Sequence, residues 1–151
     1  MRWNRGNGWV EIPVAVAPEK ANSLAAARGI ATADFDGDGD LDVVIAQHQG
    51  PPRLLRNDQR TNFPWLQIEL KATRSAGDAS GARVEVHTPG RVWAQTAGPV
   101  MSYLAQSTST LTFGLGEDAR VRRVVVHWPS GARTAMRPDG VNRKLVITEP
   151  D

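Results

Sequence analysis

The sequence predicts an all-β fold, and three observations carry that expectation. Apolar and polar residues alternate with a period of two through most of the 151 residues, which is the period of a strand with one buried face. Most of the 14 Gly and 10 Pro fall between the alternating runs, where turns need them. Two hairpins are also spelled out. Arg83-Val84-Glu85-Val86-His87-Thr88 leads through Pro89-Gly90 into Arg91-Val92-Trp93-Ala94-Gln95, and Val124-Val125-Val126-His127-Trp128 leads through Pro129-Ser130-Gly131 into the run from Ala132 to Met136.

In chain order the alternation places strands at residues 10–16, 29–33, 43–47, 53–56, 65–71, 82–88, 91–97, 102–106, 111–113, 121–128, 133–137 and 144–148. Residues 21–28 have a helical composition but are too short to hold a helix without tertiary support, so they are read as a turn or loop. Residues 57–62 are wholly polar and mark a boundary. Upstream, residues 1–57 hold a strand–acidic loop–strand unit. Downstream, residues 65–151 read as a continuous antiparallel β pattern. In the second hairpin Val124, Val126 and Trp128 share one face, and Arg123, Val125 and His127 the other.

Composition excludes several function classes. There is no Cys, which removes thiol catalysis, thiolate metal sites and redox switching. No apolar run approaches the roughly 18 residues of a helical membrane span. Residues 1–20 are interrupted by Glu11 and Pro13 and form no apolar core of a signal peptide. The net charge of +2 conceals a division, because five of the 16 acids lie between Asp34 and Asp42 and the rest of the chain is basic.

Those five acids are the strongest chemical signal. Asp34-Phe35-Asp36-Gly37-Asp38-Gly39-Asp40-Leu41-Asp42 fits the pattern D-x-D-x-D-G-x-x-D. Calcium is a hard cation that takes six to eight oxygens at about 2.3–2.6 Å. Asp34, Asp36 and Asp38 can turn carboxylates inward from a curled loop, Gly39 permits the sharp turn, Asp40 offers its backbone carbonyl and Asp42 a carboxylate or a water contact. An EF-hand would continue to a bidentate Glu at the twelfth position; that residue is Ile45, inside a strand. The expectation is a Ca2+ loop entered and left by β-strands. The competing reading, a solvated acidic turn, leaves five carboxylates within nine residues to repel one another, at a few kcal/mol per close pair on the order given by an effective dielectric near 20. Magnesium tolerates irregular all-protein cages poorly. A structural rather than catalytic metal is expected, since no second carboxylate pair or His is recruited to the loop.

The run Gly29-Ile30-Ala31-Thr32-Ala33-Asp34-Phe35-Asp36-Gly37-Asp38-Gly39-Asp40-Leu41-Asp42-Val43 resembles an FG-GAP/VCBS repeat, the calcium-loop blade of integrin-α-like propellers. The remainder resembles the ASPIC/UnbV domain, through Trp65-Leu66-Gln67-Ile68-Glu69-Leu70, Gly81-Ala82-Arg83-Val84, Phe113-Gly114-Leu115-Gly116 and Val126-His127-Trp128-Pro129-Ser130-Gly131. One segment departs from the family pattern: Ala76-Gly77-Asp78-Ala79-Ser80 stands where Asn-Arg-Asp-Ala-Ile is usual. The resemblance implies one propeller-blade-like unit packed with an antiparallel β-sandwich or barrel, in an extracellular or cell-surface protein. A single blade cannot bury both faces, whereas propellers close with four to eight. Either the blade packs onto the downstream sheet, or other copies cover it, or the rest of a propeller is missing; if the chain is complete, exposed strand edges make a homo-oligomer or filament the expected partner state.

Other residues have plainer readings. His48, His87 and His127 show no metal-ligand spacing. Ser130 belongs to a hairpin turn, and Gly114-Leu115-Gly116 opens no helix, so neither marks a catalytic or phosphate site. Trp65 and Trp128 read as core, while Trp3 and Trp9 are candidates for a partner contact. Arg120, Arg122, Arg123, Arg133, Arg137, Arg143 and Lys144 read as a solvated basic face, with polyanion contact as the alternative; no nucleic-acid motif accompanies them. Asp78, in a loop among Ser and Thr, raises the idea of a self-formed crosslink. The expected function is a calcium-stabilised, non-enzymatic module for adhesion, surface display or assembly toward a protein or glycan. The alternatives are a self-assembling filament subunit and an accessory enzyme subunit of secondary metabolism or glycan processing.

Overall fold

In the computed structural model, residues 2–4, 9–11, 27–48, 50–58, 63–99, 101–118 and 120–151 are described. The fold is all-β. Its strands are β1 (Arg2–Asn4), β2 (Trp9–Glu11), β3 (Ala27–Ala33), β4 (Asp42–Gln47), β5 (Arg53–Leu55), β6 (Trp65–Lys71), β7 (Arg83–His87), β8 (Val92–Thr96), β9 (Met101–Ser102), β10 (Ala105–Gln106), β11 (Leu111–Gly114), β12 (Arg123–His127), β13 (Arg133–Met136) and β14 (Arg143–Thr148). Residues 12–26 lie outside the description, so most of the expected first strand and the start of the expected loop at 21–28 do too.

Alternation builds the main body. Sheet β11-β6-β14 faces sheet β13-β12-β7-β8. Leu66, Ile68, Phe113, Leu145 and Ile147 enter the shared core from the first; Val84, Val86, Val124, Val126 and Trp128 enter it from the second. Each such side chain contributes about 1.5–3 kcal/mol of burial, so this sandwich is where the apolar stabilisation resides. Both spelled hairpins form: Thr88 and Arg91 close the first, and Trp128 and Ala132 the second.

Sheet β3-β4-β5 is the blade-like unit, antiparallel throughout. Ile30, Ile45 and Arg53 are cross-strand neighbours on one face, and Ala31, Val44 and Leu54 on the other. The segment 101–108 runs along the outer edge of β3, where Thr108 N–H donates to the Thr32 carbonyl at 3.0 Å and Thr32 N–H donates to Ser107 Oγ at 3.0 Å.

Three expectations are corrected here. The downstream pattern is not antiparallel throughout: β14 runs parallel to β6, with Leu145 beside Ile68 and Ile147 beside Leu70. Local alternation places a residue on a face but says nothing of strand direction. The strand expected at 102–106 is a tight hairpin, β9 to β10, turning through Tyr103 and Leu104 with Leu104 at φ 52°. Finally, Trp65 is not core. It shares the outward face of β6 with Gln67 and Glu69, as its place in the alternation requires.

Candidate metal centre

The acidic loop joins β3 to β4. Two of its turns need glycine: Gly37 has φ 79° and Gly39 has φ 97°, a region that costs any L side chain. The loop closes on its own carboxylates. Asp34 accepts the N–H of Gly37 at 2.7 Å and of Gly39 at 3.0 Å. Asp42, which is 1% exposed, accepts the N–H of Phe35 and of Asn57, each at 2.8 Å.

One carboxylate oxygen from each of Asp34, Asp36 and Asp42 lies within 4.8 Å of the others. Two oxygens on opposite sides of a calcium ion stand roughly 4.6–5.2 Å apart, so the three fit around one such ion. The donors are all hard oxygen, and each carboxylate keeps lone pairs beyond its hydrogen bonds. Asp38 and Asp40 lie outside this trio. Asp38 Oδ1 accepts the N–H of Asp40 at 2.9 Å, and its side chain lines a shallow cleft with Asp36, Arg56 and Asp58. Burial, and then the charges of Asp38, Asp34, Asp42 and Asp36, push the Asp40 carboxyl up. Arg56 is the nearby cation, 2.7 Å from Asp58 and 3.9 Å from Asp36.

Two contributors come from the sandwich: Gln67, for which the sequence reading held no role, and Trp65, which it placed in the core. Gln67 on β6 donates its amide N–H to Asp34 Oδ2 at 2.7 Å. Trp65 lies against Gly39, where an added Cβ would overlap the indole. The available signal was the polar face of β6, which put Trp65 and Gln67 on one side.

The remaining candidates fall elsewhere. His87 and His127 meet at Glu85, with His87 Nε2 at 3.1 Å and His127 Nε2 at 4.0 Å; the hydrogen bond from His87 is the main reason the Glu85 carboxyl is held low. Ser130 does more than turn a hairpin, because its hydroxyl donates to Glu149 Oε1 at 2.6 Å. Asp78 accepts from the N–H and hydroxyl of Ser80 in a local turn. Trp128 is core, as expected. The side chains of Trp3 and Trp9 lie outside the described residues. Within the basic face, Lys144 pairs with Glu69.

Comparison with known proteins shows the family. Residues 72–151 match the ASPIC and UnbV family. The chain belongs to that family. An FG-GAP-like repeat, matched over residues 1–45, precedes the ASPIC and UnbV domain and ends within β4, just beyond the acidic loop. Cartilage acidic protein 1 of Homo sapiens is 33% identical over 107 residues, which is 68% of this chain and 16% of that protein. The Mus musculus protein of the same name is 32% identical over 128 residues, or 81% of this chain and 19% of its own length. The chain thus spans less than a fifth of these relatives.

Proposed function

We propose that this chain is a calcium-stabilised, non-enzymatic β module of an extracellular or cell-surface protein, acting in adhesion, surface display or assembly. The observation that carries the reading is the convergence of Asp34, Asp36 and Asp42. Asp38 and the backbone of Asp40 complete the proposed donor set. When bound, calcium supplies the positive charge that offsets repulsion among the five carboxylates. The residues do the rest: Asp42 ties the loop to Asn57, and Asp34 ties it to β6. Extracellular placement is supported by the FG-GAP-like repeat and by relatives named for cartilage.

Calorimetric titration with calcium, alongside melting in calcium and in chelator, tests the metal. At calcium about 100 times its dissociation constant the gain is about 2.7 kcal/mol, and Asp36→Asn reduces it. Identical melting in calcium and chelator, with no binding heat, ends this reading.

A second reading, assembly between copies, is favoured by apolar side chains exposed among the described residues of the blade. Ile30 is 50% and Leu54 54% exposed, and they stand on opposite faces of β3-β4-β5.

A further inference from the structure

The acidic loop rests on the outward face of β6, the middle strand of its sheet. Gln67 sits in the body of that strand, beside Thr112 of β11 and Lys144 of β14. An outward glutamine on a sandwich is ordinarily solvated, yet Gln67 is 6% exposed and donates to Asp34 Oδ2 at 2.7 Å. Two residues earlier on the same face, Trp65 lies against Gly39. Trp65 is pinned in turn: its N–H donates to Asn142 Oδ1 at 3.0 Å, and its carbonyl accepts the Asn142 N–H at 2.7 Å.

We infer that Gln67 is a positioning residue for the loop's cation site, and that through it cation binding is coupled to docking of the blade on the sandwich. The inference rests on the calcium reading above. A ligating carboxylate must hold its plane toward the ion. The backbone donors that orient Asp34 are the N–H groups of Gly37 and Gly39, which belong to the loop and move with it. Gln67 alone among these donors belongs to the sandwich, so it refers the Asp34 carboxylate to a rigid external frame. Outer-shell hydrogen bonds of this kind set metal affinity, and removing one typically weakens it about 10–100-fold. Linkage makes the effect reciprocal: whatever factor docking adds to calcium affinity, calcium adds to docking.

The test is calcium titration by calorimetry of the full chain and its Gln67→Leu variant, with melting of both in chelator. Leucine keeps the buried stem and removes the donor. The expected result is at least about tenfold weaker binding, or about 1.4 kcal/mol less calcium-dependent stabilisation, with little change in the chelator midpoint. A residue that only packs gives the opposite pattern, a lower midpoint in chelator and unchanged affinity, and that result overturns the inference. Gln67→Asn, whose amide is one methylene short of Asp34, carries the same expectations if the leucine variant does not fold. Wild-type protein that binds no calcium overturns the calcium reading and this inference together. Wild-type binding left unchanged in both variants overturns this inference alone.

Discussion

Sheets β13-β12-β7-β8 and β3-β4-β5 are written in the same kind of sequence, alternating and rich in Val and Ala, yet they reach different degrees of burial. Val84, Val86, Val124 and Val126 are sealed in the sandwich core. In the described part of the blade the apolar side chains keep partial exposure, and the side chain sealed from solvent is Asp42. Each region also holds one buried carboxylate. Glu149, at the end of the sandwich, meets five donors: the N–H groups of Thr73, Arg74 and Ser75 on one oxygen, and the hydroxyls of Ser75 and Ser130 on the other. Asp42 has two backbone donors and two further carboxylates close by. The sandwich meets its buried charge with its own polar groups. The blade gathers carboxylates instead, and the proposed calcium answers them.

The largest test of this contrast is Phe113→Ala in the core. It should cost about 3–5 kcal/mol, by the same amount in calcium and in chelator, as read from denaturant melts. A calcium-dependent cost would mean the two regions share one stabilising source.

Next comes Glu149→Gln. Burial alone would raise the Glu149 carboxyl, but the hydroxyls of Ser130 and Ser75 and the N–H groups of Ser75 and Arg74 outweigh it and hold the group well below its ordinary value of 4.5. A depressed folded value means the contribution is complete above the ordinary value and is lost as pH falls toward the folded one. The variant should therefore melt lower than wild type near neutral pH, and the gap should close on acidification below 4.5. A gap that widens in acid would refute the assignment. Calcium should add equally to both proteins.

The smallest effect on stability belongs to Leu54→Ser, within about 0.5 kcal/mol as for an exposed site. Light scattering in calcium sharpens it: if copies assemble through the blade, the variant should show the lower mass. A wild-type monomer at high concentration removes the assembly reading.

Much of this was legible because period-two alternation is a local property. The strand at Trp65–Lys71 was read to the residue, and those flanking the acidic loop to within two residues. The acidic trio was legible because the three residues are close in sequence. Most of what was missed depends on distant partners. The parallel pairing of β14 with β6 joins residues 77 apart, as Lys144 beside Gln67, and no local pattern encodes it. The β9–β10 turn puts Leu104 at positive φ, where a Gly or Asn would have announced it. Glu149 reads in sequence as one acid after a strand; its donors lie 19 and 74–76 residues away.

The parallel ladder also sets an order of events during synthesis. β6 is the middle strand of its sheet and has β14 as one of its two neighbours. A ribosome that has just released β6 leaves Leu66 and Ile68 without Leu145 and Ile147, and residues 73–75 without Glu149. Adding about 80 residues at roughly 5–20 per second leaves those groups waiting for seconds. The acidic loop, by contrast, is made before Gln67 emerges. The loop proposed to hold calcium and, after it, Gln67 thus become available in sequence, and the sandwich closes only after both.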